Sequence, residues 1–227
     1  MGDPVLLLIM LGVPFLSQWV SRTMRQRFVR FSKTPFKLSG REVAELMLKQ
    51  KGIEGVQVIS TGGQLTDHYD PRNRTVNLSQ VVYDERNVAA AAVAAHECGH
   101  AIQHASNYPM LMARSRLVPF LKISNMAIPV LALGGAGISA AVGQTGMMLV
   151  CVFALGAPAL FSLVTLPVEF NASSRALSWM EEAGLANGSE QAGAKKALFW
   201  AAMTYVIAAL GSIAQALYFA RMFMRRR

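Results

Sequence analysis

Four long apolar runs divide the chain, at residues 5–20, 118–141, 147–168 and 197–220. Each is close to the roughly 20 residues that an α-helix needs to cross a bilayer. No basic residue precedes the first run and no small-residue cleavage site follows it, so residues 1–21 read as a retained anchor. The second run carries Lys122, Asn125 and Pro129, but Lys122 lies near its start, where its long stem can reach the interface. Gly134, Gly135, Gly137 and Gly143 cluster between the second and third runs and predict a tight turn, making residues 117–168 a transmembrane hairpin.

The first two runs are separated by a polar region, residues 22–116, large enough for a small domain. Ser39 is placed to cap a helix running through Val43, Ala44, Leu46, Met47 and Leu48 and stopping at Gly52. Residues 56–60 alternate as a strand does, Gly62-Gly63 and residues 70–73 mark turns, and residues 75–78 read as a second short strand. From about Glu85 an alanine-rich stretch predicts a helix over residues 87–105. Residues 169–196 follow the hairpin, and residues 197–227 form a fourth span with a basic tail.

Composition supports this division. Hydrophobic residues make up 53% of the 227 positions, and 22 Lys and Arg against 13 Asp and Glu give a net charge of +9. A charge of this size could suit nucleic acid, but no aromatic-basic recognition module is present, and nucleic acid is not an expected partner. In a membrane protein, basic residues mark the cytoplasmic loops. With the N-terminus outside, a four-span chain puts all 22 inside except Arg221, Arg225, Arg226 and Arg227. The polar domain is therefore expected in the cytoplasm, and the basic C-terminus runs against the rule. The two cysteines, Cys98 and Cys151, do not resemble a disulfide framework, which suits a reducing compartment.

The chemistry is expected on the alanine-rich helix. His96-Glu97-Cys98-Gly99-His100 is an H-E-x-x-H motif, whose four-residue spacing puts both imidazoles on one helix face, about 6 Å apart, where they can grip one zinc ion. Glu97 is offset from that face and is the candidate general base for a zinc-activated water. Catalytic zinc needs a third protein ligand. His104 continues the series, but eight residues of straight helix span about 12 Å, too far for one ion to bind both ends. Glu169, a lone carboxylate where the third run ends, is the better candidate, since two crossings return the chain to the side of the motif. The competing reading of Glu169 is an interfacial carboxylate paired with Arg175. For the oxyanion, the polar candidates are His68, Tyr69 and Arg175, and the sequence does not choose among them.

Residues 65–71 (Leu-Thr-Asp-His-Tyr-Asp-Pro), Val76-Asn77-Leu78-Ser79, residues 94–103 around the motif, and Glu169-Phe170-Asn171-Ala172-Ser173 together resemble the neutral zinc metallopeptidases of bacterial membranes, the YugP-like family, related in plan to HtpX-type membrane proteases. The last segment is similar to the HtpX-type E-F-x-A-D, whose Glu is the third zinc ligand; Ser173 stands where that pattern has Asp, beside the ligands. The resemblance implies a substrate-pairing edge strand at Val76, Asn77 and Leu78, with an ordinary core strand as the competing reading. The expected protein is mainly α, with about four transmembrane helices and a small α+β zincin-like catalytic domain. It is expected to bind one Zn2+ and to hydrolyse polypeptides, membrane proteins among them, at the cytoplasmic face of the cell membrane. A non-catalytic scaffold or chaperone retaining the fold is the alternative, although such a protein has no need of Glu97.

Overall fold

The structure, a computed structural model, describes residues 3–224, without the side chains at 132, 135, 136, 138, 139, 144 and 222–224. It is mostly helical, with one small sheet. In chain order the elements are α1 (Pro4–Phe31), α2 (Gly40–Gln50), β1 (Gln57–Thr61), β2 (His68–Asp70), β3 (Thr75–Ser79), α3 (Gln80–Asp84), α4 (Val88–Ala105), α5 (Pro109–Glu182) and α6 (Gly188–Met224). They divide into two compact units. One comprises residues 20–112 and 167–203, and the other the residues before 20, residues 113–166 and those from 204 onward.

In the second of these units the long helix α5 is broken at Gly143, whose φ of 71° and ψ of 175° are not helical. A left-handed φ of this kind is open to glycine without a Cβ penalty. The chain doubles back there. Ser124 Oγ donates to the Ala154 carbonyl at 2.6 Å, and the Arg114 guanidinium lies 5.9 Å from the centre of the Phe161 ring. Three helices among the described residues are long and apolar enough to cross a membrane: Pro4–Phe31, Thr145–Glu182 and Gly188–Arg221. The run at 118–141, expected as a further span, is helical, but it includes five of the side chains outside the described set, and four spans are not reached among the described residues. The basic residues 225–227 also lie outside the described residues.

The other unit holds the motif. Helix α2 begins at a capping box in which the Ser39 hydroxyl accepts from the Glu42 amide and the Glu42 carboxylate accepts from the Ser39 amide, satisfying two amides that a helix start leaves open. Val43, Ala44, Met47 and Leu48 form its buried face. Helix α4 is capped by the Asn87 side chain, which accepts from the Ala90 amide. Its first turns present almost nothing but alanine, and Ala89 to Ala92, Ala94 and Ala95 are all buried. Small side chains let other backbones come close. Gly99 takes this furthest, since a Cβ built on it would lie 2.6 Å from the Ala172 carbonyl oxygen and 3.0 Å from the Ala172 Cα of α5. The facing stripe of α5 is Glu169, Ala172, Ser173, Ala176, Trp179 and Met180, spaced at three and four residues and buried throughout.

The sheet has the order β1-β3-β2, with β1 parallel and β2 antiparallel to β3. This corrects the assignment of Val76, Asn77 and Leu78 to a substrate-pairing edge. Val76 and Asn77 pair with Val58 and Ile59 of β1 on one side and with Tyr69 and His68 of β2 on the other, and Leu78 pairs with Ser60. All five residues of β3 are buried, and Thr75, Val76 and Asn77 are paired on both edges. The Asn77 amide is held inside, donating to the His68 and Thr75 carbonyls and to Thr75 Oγ1. The sheet's outer strands are β1 and β2.

Candidate metal centre

On α4, His96 and His100 stand one turn apart with ring centres 4.8 Å from each other and planes at 83°. From α5, Glu169 reaches the same point. Its Oε2 lies 3.3 Å from His96 Nε2 and 3.7 Å from His100 Nε2. One donor atom from each residue falls within 4.8 Å of the others. Two ligands at bonds of about 2.0–2.2 Å in a tetrahedron are separated by roughly 3.3–3.6 Å. The Glu169–His96 distance falls in that range and the Glu169–His100 distance just beyond it, and two imidazoles with one carboxylate are a donor set that zinc accepts.

The imidazoles are held from behind. The Ser173 hydroxyl meets His96 Nδ1 at 3.1 Å, and His100 Nδ1 lies 3.0 Å from Gln103 Oε1. Both contacts leave the Nε2 atoms facing Glu169. Burial works against a charged His100, but its hydrogen bond to Glu169 and the negative charges of Glu97 and Glu169 outweigh that cost and raise its pKa above the ordinary value. Glu97 is buried at 8% exposure beside His96 and is not one of the three converging groups.

The remaining candidates are dispersed. The Tyr69 hydroxyl, on β2, meets His104 Nδ1 at 2.9 Å, one turn beyond His100 on α4. Burial is the main cause that raises the Tyr69 pKa. The exposed His68 donates from Nδ1 to the Thr66 carbonyl in its own loop at 2.7 Å. Arg175 Nε donates to Asn171 Oδ1 at 2.7 Å. Sequence reasoning did not single out Gln103 or Asn171 for a role. The signal available was a long polar side chain, Gln103, three residues after His100 on the same helix.

A helix bearing H-E-x-x-H, met by a buried glutamate from a second helix, is a group that could hold a metal ion, as the zinc peptidases do. The chain belongs to the family described as "Putative neutral zinc metallopeptidase", whose profile matches residues 5–224. It is similar to the "Putative membrane protease YugP" of Bacillus subtilis (strain 168), with 38% identity over 214 residues covering 93% of each chain. No solved structure matches it.

Proposed function

We propose that this chain is a zinc-dependent endopeptidase of the cell membrane that hydrolyses peptide bonds at the cytoplasmic surface. The observation that carries the reading is the convergence of His96, His100 and Glu169 from two separate helices onto one zinc-sized point. Zinc held there would supply a Lewis acid for the scissile carbonyl and bring the pKa of a water close to neutrality. Glu97, buried beside His96, takes the proton from the attacking water and passes it to the departing amine. Ser173 fixes the His96 ring. Of the three oxyanion candidates, Tyr69 is supported best, because it is the one whose hydrogen bond reaches the motif helix, whereas His68 and Arg175 are engaged with Thr66 and Asn171. An extended polypeptide pairing along β2, an outer strand, would pass beside Tyr69.

The cytoplasmic assignment rests on the excess of Lys and Arg in residues 22–122 and 175–196. Substrates would be polypeptides presented at that surface, loops of membrane proteins included, in contact with lipid and not with nucleic acid. Glu97→Gln tests the chemistry. The purified variant should retain zinc while peptide hydrolysis falls by a factor of roughly 10²–10⁴; zinc-dependent cleavage at the wild-type rate would remove Glu97 from the mechanism.

A further inference from the structure

Gln103 is completely buried, with 0% exposure, and every hydrogen-bonding atom of its amide has a partner. Its Nε2 donates to the Val168 carbonyl at 2.8 Å and to Asn171 Oδ1 at 3.0 Å, both on α5. Its Oε1 faces His100 Nδ1. The Asn171 oxygen also accepts from Arg175 Nε.

This chain of contacts has a fixed direction. A backbone carbonyl only accepts, so the nitrogen of Gln103 must point at Val168 and its oxygen at His100. A guanidinium only donates, so the oxygen of Asn171 must face Arg175, and the nitrogen of Gln103 is again the atom that can meet it. The two ends impose the same orientation independently. With Oε1 as the acceptor, His100 must carry a proton on Nδ1, so that Nε2, on the side of Glu169, is the ring atom left to ligate a metal. Val168 and Asn171 flank Glu169 in sequence, so the same amide ties the backbone of the third ligand to the helix of the first two.

We propose that Gln103 is a positioning residue of the metal centre: anchored by Val168, Asn171 and Arg175, it sets the His100 tautomer and holds Glu169 in register with the H-E-x-x-H helix. The inference rests on the zinc-site reading above. Groups that orient metal ligands from behind typically contribute 10–100-fold in metal affinity.

The test measures zinc affinity of the detergent-purified full chain by competition with a chromophoric chelator. Melting of the metal-free protein is followed in parallel. Gln103→Leu, which keeps the bulk and removes the acceptor, should weaken zinc binding about 10–100-fold. Asn171→Asp, whose carboxylate still accepts from Gln103 Nε2 and Arg175 Nε, should keep most of the wild-type affinity while Asn171→Leu loses it, and cobalt substituted for zinc should give the wild-type visible spectrum in Asn171→Asp and an altered one in Gln103→Leu. If Gln103→Leu does not fold, the comparison of Asn171→Leu with Asn171→Asp carries the test alone, from the other end of the chain of contacts. Wild-type affinity in Gln103→Leu, or equal losses in Asn171→Leu and Asn171→Asp, overturns the proposal. Failure of the wild-type chain to bind zinc stoichiometrically would instead overturn the zinc-site reading, so the two failures are told apart.

Discussion

Replacing Gly99 with alanine adds one methyl group at the closest approach of the two ligand-bearing helices. That methyl would sit 3.0 Å from the Ala172 Cα and 2.6 Å from its carbonyl oxygen. Carbon atoms pack at about 3.5–4.0 Å, so α5 must retreat by roughly half an ångström or more. The obstacle is backbone, which has no rotamer to yield. Glu169 lies one turn before Ala172 on the same buried stripe and must move with it. Metal–ligand bonds tolerate about ±0.2 Å, so a displacement of this size removes a good ligand from the centre. Two terms oppose each other in stability. Alanine gains about 0.8–1.0 kcal/mol of helix propensity over glycine, whereas overpacking costs about 1–3 kcal/mol. The metal-free variant should therefore melt between slightly and about 2 kcal/mol less stable, while zinc affinity falls tenfold or more, on the order of the loss seen when a ligand's support is removed. Chelator competition and a thermal melt on the same preparation give both numbers. Wild-type zinc affinity in Gly99→Ala would refute the claim that close approach of α5 positions Glu169.

Zinc at a hundredfold excess over its dissociation constant should stabilise the protein by about 2.7 kcal/mol, so chelation should lower the melting temperature of the wild type and leave Glu169→Ala unmoved; an equal response in both would take Glu169 out of the ligand set. Gly40→Ala drives a Cβ into the Val82 backbone carbonyl and should cost about 1–3 kcal/mol without changing zinc affinity in the folded fraction, a contrast with Gly99→Ala read by the same two measurements. The Cys98 thiol, fully buried and donating to the Ala44 carbonyl at 3.6 Å, has its pKa pushed up by burial and by the charge of Glu97. Iodoacetamide should therefore spare it in the folded protein and label it after denaturation; mass spectrometry finding Cys98 alkylated at a free-thiol rate in the folded state would contradict that burial.

What the sequence made legible was local. Ser39 ahead of an apolar-patterned stretch announced α2, alternation announced β1, turn residues marked off β3, and a run of alanines announced α4, because capping, periodicity and propensity act over a few neighbouring residues. The H-E-x-x-H spacing is equally local. The order of the sheet is not: that β3 lies between β1 and β2 depends on pairings between segments apart in the chain, and β2, only three residues long, is too short to show alternation. Helix α1 continues to Phe31, some ten residues past the apolar run, since Arg and Gln are good helix formers whose polarity ends a membrane segment without ending a helix. The meeting of Glu169 with the two histidines was approached through a count of crossings, a topological argument that brings residues to one side of a membrane without bringing them into contact. Gln103, Asn171 and Arg175 were unreadable as a set, because a hydrogen-bonded chain across two helices leaves no spacing rule in either one.

The alanines of α4 have a consequence for the order of the site. Ala89 to Ala92, Ala94, Ala95 and Ala101 have no side-chain rotamers to lose, whereas a buried leucine at each would forfeit about 0.5–1 kcal/mol of conformational freedom. Between its cap at Asn87 and the ligands, the helix is thus ordered almost entirely through its backbone. The disorder surrendered on folding is concentrated in the few long side chains that perform a task, His96, Glu97, His100 and Gln103, and thermal agitation of the scaffold beneath them has few internal degrees of freedom through which to reach them.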